Sequence, residues 1–366
     1  MTLLVTLMIL ALPASGGDDG NLTRRGGPDA GDLTRKSDMN AFHLLVNMFT
    51  SMEHFWFPAA YEQAGHLDMR LRLDANLPVS AVSRRKTSSE TMDFQIELEG
   101  VATPNGRHAL KLTGGLGEVD LVDDKRRSLV ASKSFKSFSD TPHRARSKGA
   151  NLTNYRSYVL SHLGRMKSQM LESGVYRQVY VGSGSYQNKT VHIVRVYKPL
   201  KKRARLNGKR PVPLKKMWTF WHDGGYEIWL YEGTNLPAVV FYTNNDDNIF
   251  ANFNIDYDKN WLPFRINFNN NSVGAEGRGD LVLEYNEKRL LRGASLRFDG
   301  TRGISVRADT TLDFGGEPAA DTFRILPPFG FRKMNKDHLK LMIMTEISGG
   351  LLKLKKYGIN LKNFKF

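Results

Sequence analysis

From Met39 the apolar residues fall at Phe42, Leu45, Val46, Phe49, Met52, Phe55 and Trp56, three or four apart, the spacing of one face of an α-helix. Asp38 stands where an N-cap would, and Pro58 ends the run. The face is wide, aromatic and methionine-rich, so the helix is expected to lie in a groove or across a sheet. After Gly65 the period changes to two. Leu67, Met69, Leu71 and Leu73 alternate with Asp68, Arg70, Arg72 and Asp74; Met92, Phe94, Ile96 and Leu98 alternate with Asp93, Gln95, Glu97 and Glu99. Such alternation marks half-buried antiparallel strands, with one face wet and the other covering something. Shorter strands are expected around Leu110 and Leu112, around Val119 and Leu121, and over 129–131, with Asp123 and Asp124 in a hairpin turn. A second helix is predicted over 151–173, with Tyr155, Tyr158, Val159, Leu163, Met166 and Met170 on one side and Gly174 as its stop. Strands return over 175–181 and 190–197, and from Met217 they dominate to about Phe314. The order helix, strands, helix, strands fits either two lobes, 37–145 and 150–331, or one long curved sheet with two helices on its concave side, and no residue-level repeat decides.

Residues 3–12 are apolar apart from Thr6 and are followed by Pro13, Ala14, Ser15 and Gly16, which reads as the core and cleavage site of a secretory signal peptide over 1–16. The run is too short to span a bilayer. Residues 17–36, rich in Gly, Asp and Arg without periodicity, are expected to form a disordered leader. The 366-residue chain carries 53 Lys and Arg against 37 Asp and Glu, a net charge of +16, so polyanions and anionic lipid surfaces are its expected partner class. Its lack of cysteine excludes disulfides, a thiolate nucleophile, Cys-ligated zinc and iron–sulfur clusters. The charge is concentrated. No acidic residue occurs between Ser173 and His222, where Lys201, Lys202, Arg203, Arg205, Lys209 and Arg210 crowd a Pro- and Gly-containing stretch that reads as an exposed basic loop. The tail, 332–366, sets Lys333, Lys336, Lys340 and Lys353 around an amphipathic run with Leu339, Met342, Ile343 and Leu351, suited to an anionic membrane or to docking on the sheet.

Motifs for chemistry are absent. The nine histidines are scattered singly, without HExxH, and there is no GxSxG elbow, phosphate loop or dinucleotide fingerprint. No metal and no cofactor is expected. Glu227 with Glu232 or Asp223 is the best candidate for a hydrolase dyad, but sequence spacing cannot establish the carboxyl separation that such chemistry needs. The expectation is a protein that is not an enzyme.

The informative feature is aromatic. Trp218, Phe220, Trp221, Tyr226, Trp229, Tyr231, Phe241, Tyr242, Phe250, Phe253, Tyr257, Trp261, Phe264 and Phe268 fall within one stretch that holds four of the five tryptophans. Strands with aromatics on both faces need cover on both or present an apolar surface to a ligand. An ordinary sheet core accounts for any single ring; a cavity between sheet and helices, suited to an acyl chain, accounts for the group. Phe42, Phe49 and Trp56 on the helix and Trp218, Phe220, Trp229 and Phe264 on the sheet are the expected wall of that cavity.

The chain resembles the periplasmic lipoprotein-sorting carriers of the LolA-like fold, over about 39–331. The resemblance rests on Asn235-Leu236-Pro237-Ala238-Val239 and Trp261-Leu262-Pro263-Phe264-Arg265, each after an aromatic strand, and on the closing signature Asp321-Thr322-Phe323-Arg324-Ile325-Leu326-Pro327-Pro328-Phe329-Gly330. It implies an α+β, mostly antiparallel half-barrel whose apolar concave face, lidded by helices, holds the acyl chains of a lipid or lipoprotein, with no catalytic residues. This chain is longer than the compact carriers and adds the basic loop, a second Leu-Pro hairpin and a basic tail. The expected function is a secreted or periplasmic carrier of a lipid or acylated protein, held to anionic membranes by Lys201, Lys202, Arg203, Arg205, Lys209 and Arg210. The alternative is an extracellular adaptor for acidic glycans or other polyanions without a lipid pocket. No specific nucleic acid is expected as a partner. Asn21, Asn151, Asn188 and Asn270 each open an N-x-[ST] sequon.

Overall fold

A computed structural model describes residues 35–78, 91–114, 117–142, 155–171, 176–197, 224–244, 249–271, 276–319, 321–339 and 343. The expected signal peptide, most of the leader, the basic loop and most of the tail lie outside the described residues. In chain order the elements are helix α1 (Arg35–Trp56), a 3-10 turn (Ala59–Glu62), then strands β1 (Leu67–Pro78), β2 (Thr91–Ala102), β3 (His108–Gly114), β4 (Gly117–Asp123), β5 (Arg127–Ser132) and β6 (Ser137–Pro142). Helix α2 (Tyr155–Leu171) precedes β7 (Arg177–Tyr186), β8 (Lys189–Tyr197), β9 (Gly224–Tyr231), β10 (Pro237–Asn244), β11 (Ile249–Tyr257) and β12 (Pro263–Asn270). The chain continues through β13 (Gly277–Tyr285), β14 (Leu291–Gly300), β15 (Ser305–Phe314) and the short β16 (Arg332–Lys333). The fold is α+β and mostly antiparallel, as the alternation predicts. Helix α1 begins at Arg35, so Asp38 lies inside its first turn instead of capping it.

The chain forms two compact units, 1–57 with 159–276 and 58–158 with 277–366. In the first, β7 to β12 form an antiparallel meander in sequence order. Helix α1 packs on β7 and β8, burying Ala41, Leu45, Met48 and Phe49. Ile228 and Leu230 of β9 share one face with Val194 and Val196, all buried; Val191, Tyr231 and Val239 are buried on the other. Strand β9 is therefore covered on both sides over 228–231, where its residues are apolar without alternation.

In the second unit the strand order is β16-β6-β5-β4-β3-β2-β1-β15-β14-β13. All neighbours are antiparallel except β16, which pairs parallel to β6. Strand β15 returns to pair with β1 over ten residues, from Leu67 opposite Phe314 to Asn76 opposite Ser305.

The two Leu-Pro segments build the same turn, one in each of two hairpins. Asn235 (φ 56°) and Trp261 (φ 61°) take left-handed backbone, the following Leu236 and Leu262 are fully buried, and the prolines open β10 and β12, where a strand's first residue tolerates the missing N–H. The Asp258 carboxylate accepts from Asn260 N and Leu262 N, both at 2.8 Å, an Asx turn that fixes the second of them. Asn286 does the same for Leu290 N at 3.0 Å, with Arg289 at φ 63° and Leu290 buried, although no proline follows. The expected Asp123–Asp124 turn also forms, with Lys125 N donating to Asp123 Oδ1 and Arg126 N and Arg127 N to Asp124 Oδ1, each at 2.7 Å.

Candidate functional site

The second unit carries a sheet whose two faces differ in kind. Register places Leu71, Leu98, Leu112 and Val119 in one row across β1 to β4, with Leu110, Leu121 and Val130 beside them and Ile96 next to Leu98 along β2. The opposite face carries Asp68, Arg70, Arg72, Glu97, Glu99, Lys111, Glu118 and Asp120. An aliphatic face set against a charged one should be covered. Over β13, β14, β15 and the start of β1 it is: Leu281, Leu283, Leu296, Phe298, Leu312, Leu67 and Leu71 are all buried. Over β2 to β5 it opens. Ile96, Leu98, Leu110, Leu112, Val119, Leu121 and Val130 are each only half-buried.

Three aromatic side chains mark the covered end. Tyr61 and Tyr155 both meet the Phe314 ring edge-on, at 5.8 and 5.5 Å. The buried Tyr61 hydroxyl accepts the Leu291 N–H at 2.7 Å, and burial pushes it up to about 12. Tyr155 Oη donates to Ala102 O at 2.7 Å, and burial raises it too. Within the open region, Gly100 sits opposite Met69 and Leu110. A Cβ there would lie 2.4 Å from Ala109 O and 2.6 Å from Leu110 Cδ2, so the glycine lets Leu110 lean across the strand.

On the charged face, Glu118 accepts from Lys111 at 3.1 Å and from Lys133, and the Lys133 hydrogen bond holds its carboxyl below the usual range. Burial moves the neighbouring Asp120 the other way. A broad depression of about 860 Å³ on this face is lined by Asp68, Arg70, Asp309, Thr311 and Asp313 among others, a setting for water and ions and not for an acyl chain.

The residues predicted as a cavity wall are distributed differently. Phe49 is buried at 2% exposure, while Phe42 at 41% and Phe264 at 42% are exposed. Trp56 lies 6.3 Å from the Tyr257 ring, with its indole N–H buried and unpartnered. Trp229 shares the Val191 and Val239 face of β9. It donates to Glu227 Oε1 at 3.0 Å, and Glu227 Oε2 accepts Arg195 Nε at 2.7 Å. That same face holds an aromatic cluster of Tyr186, Tyr231, Phe241, Tyr257 and Trp261, with Lys189 Nζ 4.9 Å above the Trp261 ring. Phe49 and Trp56 on the helix and Trp229 and Phe264 on the strands thus differ in burial and in face. Trp218 and Phe220 lie outside the described residues, as do Lys201, Lys202, Arg203, Arg205, Lys209 and Arg210. Glu227, the carboxylate favoured for a hydrolase, is held by Arg195 and Trp229, and Glu232 is exposed beyond the strand end. Among the described residues no group of three or more His, Asp and Glu is placed to hold a metal.

No family model matches the chain, and no curated protein matches it. Solved structures do match. An outer membrane lipoprotein-sorting protein domain from Vibrio parahaemolyticus covers 78% of this chain and 97% of its own, at 9% identity and TM-score 0.30. A DUF1329 family protein from Desulfovibrio piger covers 79% and 97%, at 8% identity and TM-score 0.30. A LolA superfamily protein from Nitrosomonas europaea covers 77% and 96%, at 10% identity and TM-score 0.28. At these scores the likeness carries no argument, and the fold assignment stands on this chain's own strand register.

Of the seven aliphatic residues of the open face, Ile96 and Leu98 lie in a clear alternation, and the other five lie in or near short strands whose pattern does not reveal that the face is open. The available signal was that no helical pattern lies among the strands from 67 to 142 to cover them.

Proposed function

We propose that the protein is a carrier that binds a lipid or acyl chain non-covalently against the open aliphatic face of β2 to β5. One observation carries the reading: seven neighbouring Ile, Leu and Val side chains on four adjacent strands are half-buried, on a sheet whose other face is charged and whose continuation over β13 to β15 is fully covered. Such a surface in water favours an apolar occupant. A chain of about sixteen carbons, at about 0.8 kcal/mol per buried CH₂, offers on the order of 10 kcal/mol before ordering costs. Binding by burial asks for no catalytic group, and the protein is read as not being an enzyme. The apolar run over 3–12 agrees with a role outside the cytoplasm. Lys201, Lys202, Arg203, Arg205, Lys209 and Arg210 are the residues proposed to meet anionic headgroups.

The test is native mass spectrometry and solvent extraction of protein purified without detergent, followed by titration with a fluorescent fatty acid. The expected result is a co-purified acyl species or saturable uptake, lost in Leu112→Asp and kept in Phe264→Ser. An empty protein that takes up no probe overturns the reading and leaves the polyanion adaptor in its place.

A further inference from the structure

The closing segment of the second unit is held against β5 and β6 between two anchors. At one end Phe323 is buried, with the Arg107 guanidinium 4.8 Å above its ring. Ile325 and Phe331 pack on a buried cluster of Leu129, Ala131 and Phe138. At the other end β16 pairs with β6, and Arg332 N donates to Lys136 O and Met334 N to Phe138 O, at 2.8 and 2.7 Å.

Between these anchors stands a bare apolar turn. Phe331 N donates to Pro328 O at 3.2 Å, closing a turn with Phe329 and Gly330 at its corners, and Gly330 has φ 78°, as the third position of a type II turn requires. Phe329 is completely exposed at 104% and Leu326 is 57% exposed. Pro327 and Pro328 stiffen the backbone that holds them, so the phenyl ring is presented and not merely loose. Four exposed cations lie near the tip along the chain or beside it: Arg324, Arg332 and Lys333 on the segment, and Lys136 in the turn that leads into β6, its carbonyl bonded to Arg332 N. Asp321, three residues before Arg324, is the exposed acid on the same segment.

We infer that this turn docks the protein on an anionic bilayer, with Phe329 and Leu326 entering the headgroup region and Arg324, Arg332, Lys333 and Lys136 facing lipid phosphates. A narrow tip with two apolar side chains is far smaller than the roughly 800 Å² per partner of a stable protein interface. An apolar wedge with exposed cations close by is instead the two-signal arrangement that holds a protein on a membrane surface. The inference deepens the carrier reading and rests on it for its purpose, since a carrier must meet the bilayer it loads from; its geometry is independent of the β2 to β5 face.

The experiment is co-sedimentation of the full chain with vesicles of phosphatidylcholine alone and of phosphatidylcholine mixed with phosphatidylserine. The intact protein is expected to prefer the mixed vesicles, with a preference that weakens as salt rises. Leu326→Ser with Phe329→Ser is expected to lower the partition coefficient about tenfold or more, with unfolding unchanged because both side chains already face water. Phe329→Trp should keep binding and add, over the five native tryptophans, emission that brominated acyl chains quench. The inference is overturned if the double serine variant binds mixed vesicles like the intact protein, or if the added tryptophan is not quenched. Fatty-acid uptake separates the two readings: the double serine variant should keep it, whereas an intact protein that binds vesicles but takes up no fatty acid removes the carrier reading and leaves the docking turn standing.

Discussion

At the residue scale, stability in the second unit turns on a few polar atoms in apolar surroundings. Tyr61 is the clearest. Its hydroxyl is the acceptor for the Leu291 N–H, and both residues are buried, so removing the oxygen strands a backbone donor where water cannot replace it. Tyr61→Phe is expected to cost about 1–2 kcal/mol, read as a lower urea midpoint with an unchanged slope. Glu118 makes the opposite kind of contribution, on the wet face. Because its carboxyl is held below the usual range by Lys133, with Lys111 adding to the effect, its stabilisation is complete above the ordinary carboxylate pKa and is lost as pH falls through the depressed one. Glu118→Gln should therefore be less stable than the parent at neutral pH, by a small amount that salt reduces, and should converge with it in acid. A stability difference independent of pH would assign the effect to packing.

At the element scale, what the sequence makes legible is what a local period encodes. The alternation from Leu67 to Asp74 and from Met92 to Glu99 falls inside β1 and β2, because a strand's side chains alternate faces wherever it pairs. Helix α1 is legible as a helix, but its buried stripe runs through Ala41, Leu45 and Met48 and leaves Phe42 exposed. A small alanine lies toward the sheet, a close approach that hydrophobicity alone does not rank. The β1–β15 pairing joins residues more than two hundred positions apart and leaves no local trace, so the extent of cover over the aliphatic face is set by contacts no window along the chain contains. The turns are legible through chemistry. Asp258 holds Leu262 N and Asn260 N, so Asp258→Ala should cost about 1 kcal/mol or more, while Asp258→Asn, which keeps the acceptor, should cost less. Equal losses in the two variants would mean that the carboxylate charge, and not the Asx turn, matters there.

At the scale of the molecule, the two readings of function differ in which surface the ligand uses. An acyl chain on β2 to β5 removes apolar area from water; a polyanion neutralises a chain of net charge +16. Both stabilise the folded protein by mass action, to about 2.7 kcal/mol at a hundredfold excess over Kd, so a raised melting temperature alone does not tell them apart. Salt does. Stabilisation by a fatty acid on the aliphatic face is expected to persist from low to molar salt and to disappear in Leu112→Asp, because the binding free energy comes from burial at the row that Leu71, Leu98, Leu112 and Val119 form. Stabilisation by heparin should collapse over the same salt range and be indifferent to Leu112→Asp, since screening acts on exposed cations and leaves buried hydrocarbon untouched. A thermal shift with fatty acid that vanishes with salt would place the ligand's carboxylate, not its chain, at the centre of recognition, and the β2 to β5 face would then need another occupant.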